Sequence, residues 1–232
     1  MEQMTGDQQK LAELYYRSNS VKFGEEFTFA HHLVDPEAEK PTMKLHYPKP
    51  GEPGFELVDD LIDTAGTIFG GFIDEIPEEK RPHKIAGTPD GAKPLATSAV
   101  KHCTAYTEEY LLEFEKFQRF GTGPNRFRLV PSGWFPEQNL MDVEDHMSKA
   151  TNAQRFMEGA RYSGFIVTYM LVVVDRCQGG RQIMEKLGVT VMPIFTIYQL
   201  LDFGVAEDFI KSDQAEEQIE YIKNNQAKAV DL

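Results

Sequence analysis

The sequence predicts an α/β fold: a central, mainly parallel sheet with helices on both faces. Three observations carry that prediction. Phe165 to Val174 is a nearly continuous apolar run of strand length, as expected of a strand covered on both sides. From His83 onward, strand-like runs alternate with helical patterns about ten to fifteen residues long, which is the βαβ arrangement. Turns rich in Gly, Pro and Asp follow several of the strand-like runs, where an open α/β sheet places its ligands.

In chain order, Gln8 to Tyr16 carries Leu11, Leu14 and Tyr15 at helical spacing, and Ser18 to Phe29 becomes strand-like. From Ala30 to Gly54, Pro36, Pro41, Pro48, Pro50 and Pro53 exclude a long helix, and the segment reads as a surface excursion. Phe55, Val58, Leu61, Ile62, Ala65, Ile68, Phe69 and Phe72 step by three and four, predicting a long amphipathic helix with an ordinary core-facing stripe. His83 to Gly87 is a short strand, followed by a Gly/Pro turn and a helix from near Pro94. Tyr110 to Arg128 alternates irregularly around Gly121 to Asn125, which suits a projecting hairpin. Asn139 to Val143 reads as a strand, Thr151 to Tyr162 as a helix and Phe165 to Val174 as a strand. Cys177 to Leu187 reads as a helix ended by Gly188, Val189 to Met192 as a strand and Thr196 to Phe203 as a short helix. Val205 to Gln226 supplies one or two charged terminal helices.

The 232 residues include 24 Lys and Arg against 37 Asp and Glu, a formal charge of −13. Such a body repels phosphodiester backbones and anionic head groups, so the expected partners exclude nucleic acid and membrane surfaces, and an anionic ligand needs a local trap. No apolar run reaches membrane-spanning length, so no membrane insertion is expected. Neither a signal peptide nor a transit peptide is read in the N-terminal ten residues. Cys103 and Cys177 lack zinc-type spacing, and a reduced intracellular compartment follows, cytoplasmic by default with an organelle left open. A hydrophobic fraction of 41% suffices for one core.

Three turns hold chemistry-bearing residues. In Gly87 to Pro94, two glycines would let backbone N–H groups approach an anion at a helix N-terminus; a plain tight turn reads equally well. In Val143 to Asn152, the acids Glu144 and Asp145 could bind sugar hydroxyls and the turn a phosphate; the alternative is a capped helix with solvated acids. In Asp175 to Gly180, Arg176 could hold a planar carboxylate or imide in bidentate fashion, or pair structurally with Asp175.

In this order the segments Val21 to Gly24 (VKFG), Ile85 to Thr97 (IAGTPDGAKPLAT), Phe120 to Gly123 (FGTG), Val143 to Asp145 (VED) and Val172 to Val189 (VVVDRCQGGRQIMEKLGV) resemble the orotate phosphoribosyltransferases over roughly residues 8 to 203. The resemblance implies a type I phosphoribosyltransferase-like fold with a small N-terminal hood of about residues 1 to 54, a domain ending near residue 204 and an acidic helical extension over 205 to 232. It implies transfer of ribose 5-phosphate from 5-phosphoribosyl 1-diphosphate (PRPP) to orotate with Mg²⁺, and a homodimer or larger assembly. By the same resemblance Lys22 and Arg176 contact the base or diphosphate, and Glu144 and Asp145 hold the ribose. Ser148, Lys149, Ala150, Thr151 and Asn152 cradle the 5-phosphate. Thr88, Asp90 and Lys93 form the diphosphate loop, and Asp145 is the one metal ligand considered.

The departures bear on activity. Where the family's mobile loop carries cations, this chain has Phe114, Glu115 and Gln118; the phosphate cradle has Ala150 in place of Gly; and Ala30, His31 and His32 stand where a Ser-Gly normally follows. Three charge-assisted hydrogen bonds at about 1.5–3 kcal/mol each amount to about 5–9 kcal/mol, on the order of a thousandfold to a millionfold in rate. Residues acting as a unit are not additive, so this bounds plausibility only. Lys93, Lys116, Arg119, Lys149, Arg126 and Arg128 are the available substitutes. The sequence therefore predicts an orotate phosphoribosyltransferase-like protein with an eroded PRPP site, serving as a non-catalytic binding, regulatory or scaffold subunit. The alternative is an active, divergent orotate phosphoribosyltransferase in pyrimidine biosynthesis. No catalytic residue is singled out.

Overall fold

The computed structural model describes residues 3–24, 27, 41, 43–89, 91–117 and 126–227. Helix α1 (Gly6–Arg17) begins with a capping box in which Thr5 and Gln8 satisfy each other's backbone N–H groups, and it buries Leu11, Ala12, Tyr15 and Tyr16. Strands β1 (Val21–Phe23) and β2 (Met43–Leu45) pair antiparallel, Lys22 opposite Lys44. This corrects the surface excursion expected after residue 30, for Met43 is fully buried and Leu45 nearly so. The adjoining residues 30–40 and 42 lie outside the described residues.

Helix α2 (Val58–Glu75) buries Val58, Leu61, Ala65 and Phe69 of the expected stripe, with Ile62, Ile68 and Phe72 partly buried, and adds Ile73; Phe55 lies in the turn before the helix and is exposed. It packs against α3 (Lys93–His102). Between them lies β3 (Lys84–Gly87). The expected hairpin forms from β4 (Glu113–Phe117) and β5 (Arg126–Val130), and its tip lies outside the described residues. Then come β6 (Gln138–Met147), α4 (Thr151–Tyr162), β7 (Phe165–Asp175), α5 (Gly180–Lys186), β8 (Thr190–Thr196), α6 (Ile197–Ala206) and α7 (Ser212–Asn224).

Strands β3, β6, β7 and β8 form one parallel sheet in that order. Alternation along the strands sends Met141, Val143, Leu171 and Val173 into a core shared with α1, α2, α3, α6 and α7. Leu140, Met170 and Val172 face a second core with α4, α5 and the β4–β5 hairpin. The sheet is thus covered on both faces, as its apolar strands require.

Three boundaries differ from expectation. Strand β6 runs on through Glu144 and Asp145 to Met147, because pairing with β7 continues past the acids, Glu144 opposite Val172 and Met147 opposite Asp175. Helix α5 starts at Gly180, not Cys177, since Cys177 (φ 54°) and Gly179 (φ 92°) are left-handed. Strand β8 passes through Pro193 opposite Val172, which its place at the sheet edge permits. Among the described residues no helix is long and apolar enough to cross a membrane.

Helix α7 packs on α6 and puts Ile222, fully buried, into the first core. Ile222→Ala is expected to cost about 2–4 kcal/mol in urea unfolding; a loss within experimental error would make α7 an appendage.

Candidate functional site

The carboxyl ends of the parallel strands lie side by side. Met147, Asp175 and Thr196 are in register across β6, β7 and β8, and Gly87 pairs with Val143. Backbone bonds stitch the outgoing turns to their neighbours: Thr88 N–H donates to Val143 O (2.9 Å), Arg176 N–H to Met147 O (2.8 Å) and Gly180 N–H to Ser148 O (2.8 Å). The three turns singled out from the sequence thus lie side by side at the carboxyl ends of the strands, where an open sheet places its ligand crevice.

Thr88 sits at the start of the first turn, buried, with its Oγ1 3.0 Å from Asp142 Oδ1 and 2.9 Å from Glu144 Oε1. Both acids lean on this one hydroxyl, which has a single proton to donate. Burial drives both carboxyls far above their ordinary range; for Glu144 the neighbouring Asp142 and Asp145 add to it, and Thr88 pulls the other way. Glu144 therefore sits in the structure as a shielded acid rather than a solvated one. Asp142, its companion, was not singled out in the sequence; its place inside an apolar strand next to VED was the available signal.

Asp145 differs. Burial works against its charge, yet the charge of His146 and hydrogen bonds from it outweigh that and hold the carboxyl below its ordinary value. Its Oδ1 accepts the His146 N–H at 2.7 Å, and its Oδ2 lies 3.4 Å from His146 Nδ1. On the other side the carboxylate presses on the first turn: a Cβ built at Gly91 would lie 2.5 Å from Asp145 Oδ2, so a side chain there would displace the carboxylate. Asp90 lies outside the described residues.

Ser148, Lys149 and Ala150 form the second turn, and Thr151 and Asn152 open α4. Ala150 holds a left-handed conformation (φ 57°), a strained state for a residue with a Cβ, so the turn keeps the shape that glycine would adopt freely. No side chain caps α4 and no acid lies in its first turn. The capped-helix alternative is therefore not what the structure presents, and the first N–H groups of α4 suit an anion. Gly180 packs on this turn so closely that a Cβ would lie 2.4 Å from Ser148 O.

In the third turn Asp175 Oδ1 accepts the Cys177 N–H at 2.8 Å. Among the described residues no ion pair joins Asp175 to Arg176. The Arg176 Nε is buried with no hydrogen-bond partner there, and burial draws the guanidinium below its ordinary range, offset in part by Tyr221. The Cys177 thiol is pushed up to about 12 by burial first and Asp175 second, so it is no nucleophile at neutral pH. Residues after α7 close over this turn: Ala227 N–H donates to Gln178 O (2.8 Å), Gln178 Nε2 to Asn225 O (3.1 Å) and Gln226 Nε2 to Cys177 O (3.1 Å).

Lys93 and Lys22 are both engaged. Lys93, first residue of α3, pairs with Glu113 of β4 at 2.7 Å, and Lys22 on β1 lies 3.7 Å from Glu52 Oε2, which also contacts His46 Nε2 at 3.3 Å. On the hairpin, Arg128 pairs with Glu115, and Phe114 is fully buried against Phe156 with ring centroids 4.8 Å apart. No group of three or more His, Cys, Asp or Glu able to hold a metal occurs among the described residues. A Mg²⁺ ion would rest on Asp145 and oxygens of its ligand, the kind of site in which Mg²⁺ is bound with substrate phosphates.

No family model matches the chain. It is 27% identical over 140 residues to the orotate phosphoribosyltransferase of Halobacterium salinarum, covering 60% of this chain and 74% of that one. It is 26% identical over 141 residues to the uridine 5'-monophosphate synthase of Bos taurus, covering 61% of this chain and 28% of that one. The structure of Leishmania donovani UMP synthase superposes with a TM-score of 0.70 at 17% identity, over 94% of this chain and 43% of that chain. The chain spans less than half the length of these two synthases. Its fold is that of the type I phosphoribosyltransferases. Within that class its sequence is similar to the orotate phosphoribosyltransferases, as its motifs imply.

Two outcomes are expected. Unfolded Asp142 loses its proton near its ordinary value of 3.8, and folded Asp142 keeps it to higher pH. The unfolded state then binds fewer protons, so stability falls as pH rises above about 4, by about 1.4 kcal/mol per pH unit until the folded group ionises. Asp142→Asn carries no such proton, and its stability relative to the parent should rise as pH increases above about 4 in urea unfolding; parallel pH profiles would refute a buried neutral acid. Gly180→Ala is expected to cost about 1–3 kcal/mol by forcing the second and third turns apart, read from its thermal midpoint.

Proposed function

We propose that this orotate phosphoribosyltransferase-like chain binds a pyrimidine or phosphoribosyl ligand without turning it over, as a regulatory or scaffold subunit in a homodimer or larger assembly. The observation that carries the reading is the charge state of the β4–β5 hairpin. Where the related enzymes would grip diphosphate, Phe114 is committed to the core and Glu113 and Glu115 neutralise Lys93 and Arg128. Exposed pairs of this kind contribute little to stability, on the order of 0.2–1 kcal/mol. Their weight lies in the local potential, since a departing diphosphate meets glutamates where electrostatic stabilisation of its charge is the main catalytic task.

A second reading, an active and divergent orotate phosphoribosyltransferase, is favoured by Arg176, whose buried Nε awaits an acceptor. In that reading Lys22 and Arg176 orient the base, Glu144 and Asp145 the ribose, and Ser148 to Asn152 the 5-phosphate. Thr88, Asp90 and Lys93 border the diphosphate, and Mg²⁺ on Asp145 would neutralise diphosphate charge. The chain's own contribution is then positioning and exclusion of water.

Full-length protein given orotate, PRPP and Mg²⁺ is expected to leave orotate absorbance unchanged while calorimetry detects orotate or PRPP. Turnover at ordinary enzymatic rates, about 1 s⁻¹ or faster, overturns the non-catalytic reading in favour of the second. Binding of neither compound leaves a scaffold alone.

A further inference from the structure

Beside these turns, four polar side chains from three parts of the chain meet in a line of which the readings above use only Asp145. Tyr47 Oη lies 3.1 Å from Tyr15 Oη, and Tyr15 Oη lies 3.1 Å from His146 Nε2. His146 in turn faces Asp145 through its Nδ1. Tyr15 comes from α1, Tyr47 from the segment after β2, and His146 and Asp145 from β6. The rings pack edge-on or tilted, with centroids 5.7–6.1 Å apart. Tyr15 is fully buried and the His146 side chain is only 10% exposed.

The ring of His146 is held from both sides, by the Tyr15 hydroxyl at Nε2 and by Asp145 Oδ2 at Nδ1. Asp145 Oδ1 accepts the His146 backbone N–H, so both oxygens of the carboxylate contact His146, while Gly91 leaves room for the carboxylate against the first turn. An aliphatic residue at position 146 could pair with Val174 equally well, yet it would leave the buried Tyr15 hydroxyl without this partner and one Asp145 oxygen unheld.

We propose that His146 is a positioning residue that, backed by Tyr15 and Tyr47, aims the Asp145 carboxylate at the hydroxyls of a bound ribose. The inference rests on the phosphoribosyl reading of Asp145 and deepens it by assigning the device that sets selectivity for ribose over deoxyribose.

Ribose 5-phosphate and 2-deoxyribose 5-phosphate serve as probes in calorimetry with the full chain, against His146→Leu, His146→Gln and Tyr15→Phe. The wild-type protein is expected to prefer ribose 5-phosphate. His146→Leu should weaken that ligand about ten- to hundredfold, the range of a lost charge-assisted bond or an outer orienting partner, and weaken the deoxy compound, which lacks the 2-hydroxyl, by less, shrinking the preference. His146→Gln, which keeps a donor and an acceptor, should restore part of it, and it carries the comparison if the leucine variant fails to fold. Equal weakening of both sugar phosphates overturns the inference. If the wild-type protein binds neither sugar phosphate, the phosphoribosyl reading itself is overturned, and the inference with it.

Discussion

Two carboxyl groups inside the sheet share one hydroxyl, and the geometry of the crevice depends on that arrangement. Asp142 and Glu144 lie on β6, a strand otherwise apolar where it crosses the middle of the sheet. Burying one such acid without a partner costs several kcal/mol; Thr88 meets one oxygen of each, and Asp142 Oδ2 stays buried without a partner among the described residues. The same contact ties the turn after β3 to the end of β6. Burial disfavours charge on both acids, whereas Asp145 is held ionised beside His146.

The net charge of −13 acquires a location from this. Asp145 is ionised by its alliance with His146, Glu144 is largely silent, and the glutamates of the hairpin cancel the cations beside them. Arg176 is the counterweight, a guanidinium drawn into the protein next to the sheet edge. The carboxyl ends of the strands thus carry an acid on β6 and a guanidinium after β7, and in the phosphoribosyl reading proposed above these face hydroxyls at one end and an anionic or imide group at the other.

Much of this was legible in the residues, and the failures share a cause. Thr151–Tyr162 and the stripe of α2 could be read because their periodicity coincides with burial. The end of β6 could not, since Glu144 and Asp145 look like turn residues until a buried Thr88 and a buried His146 are placed against them. Pro193 and Cys177 misled in the same manner, because an edge strand tolerates the one and a left-handed turn excludes the other from helix. Residues named for the site did gather along the strand ends, except that Lys22 belongs to a separate hairpin and Asp90 and Gln118 lie outside the described residues. The line from Tyr47 to Asp145 joins residues about a hundred positions apart in sequence, a relation no local pattern encodes.

The contacts from Gln178 to Asn225 and Ala227 make the turn bearing Arg176 depend on residues about fifty positions further along the chain. The ladder of β3, β6, β7 and β8 does not include those residues. A local opening of the segment after α7 would therefore uncover this turn while leaving the sheet intact.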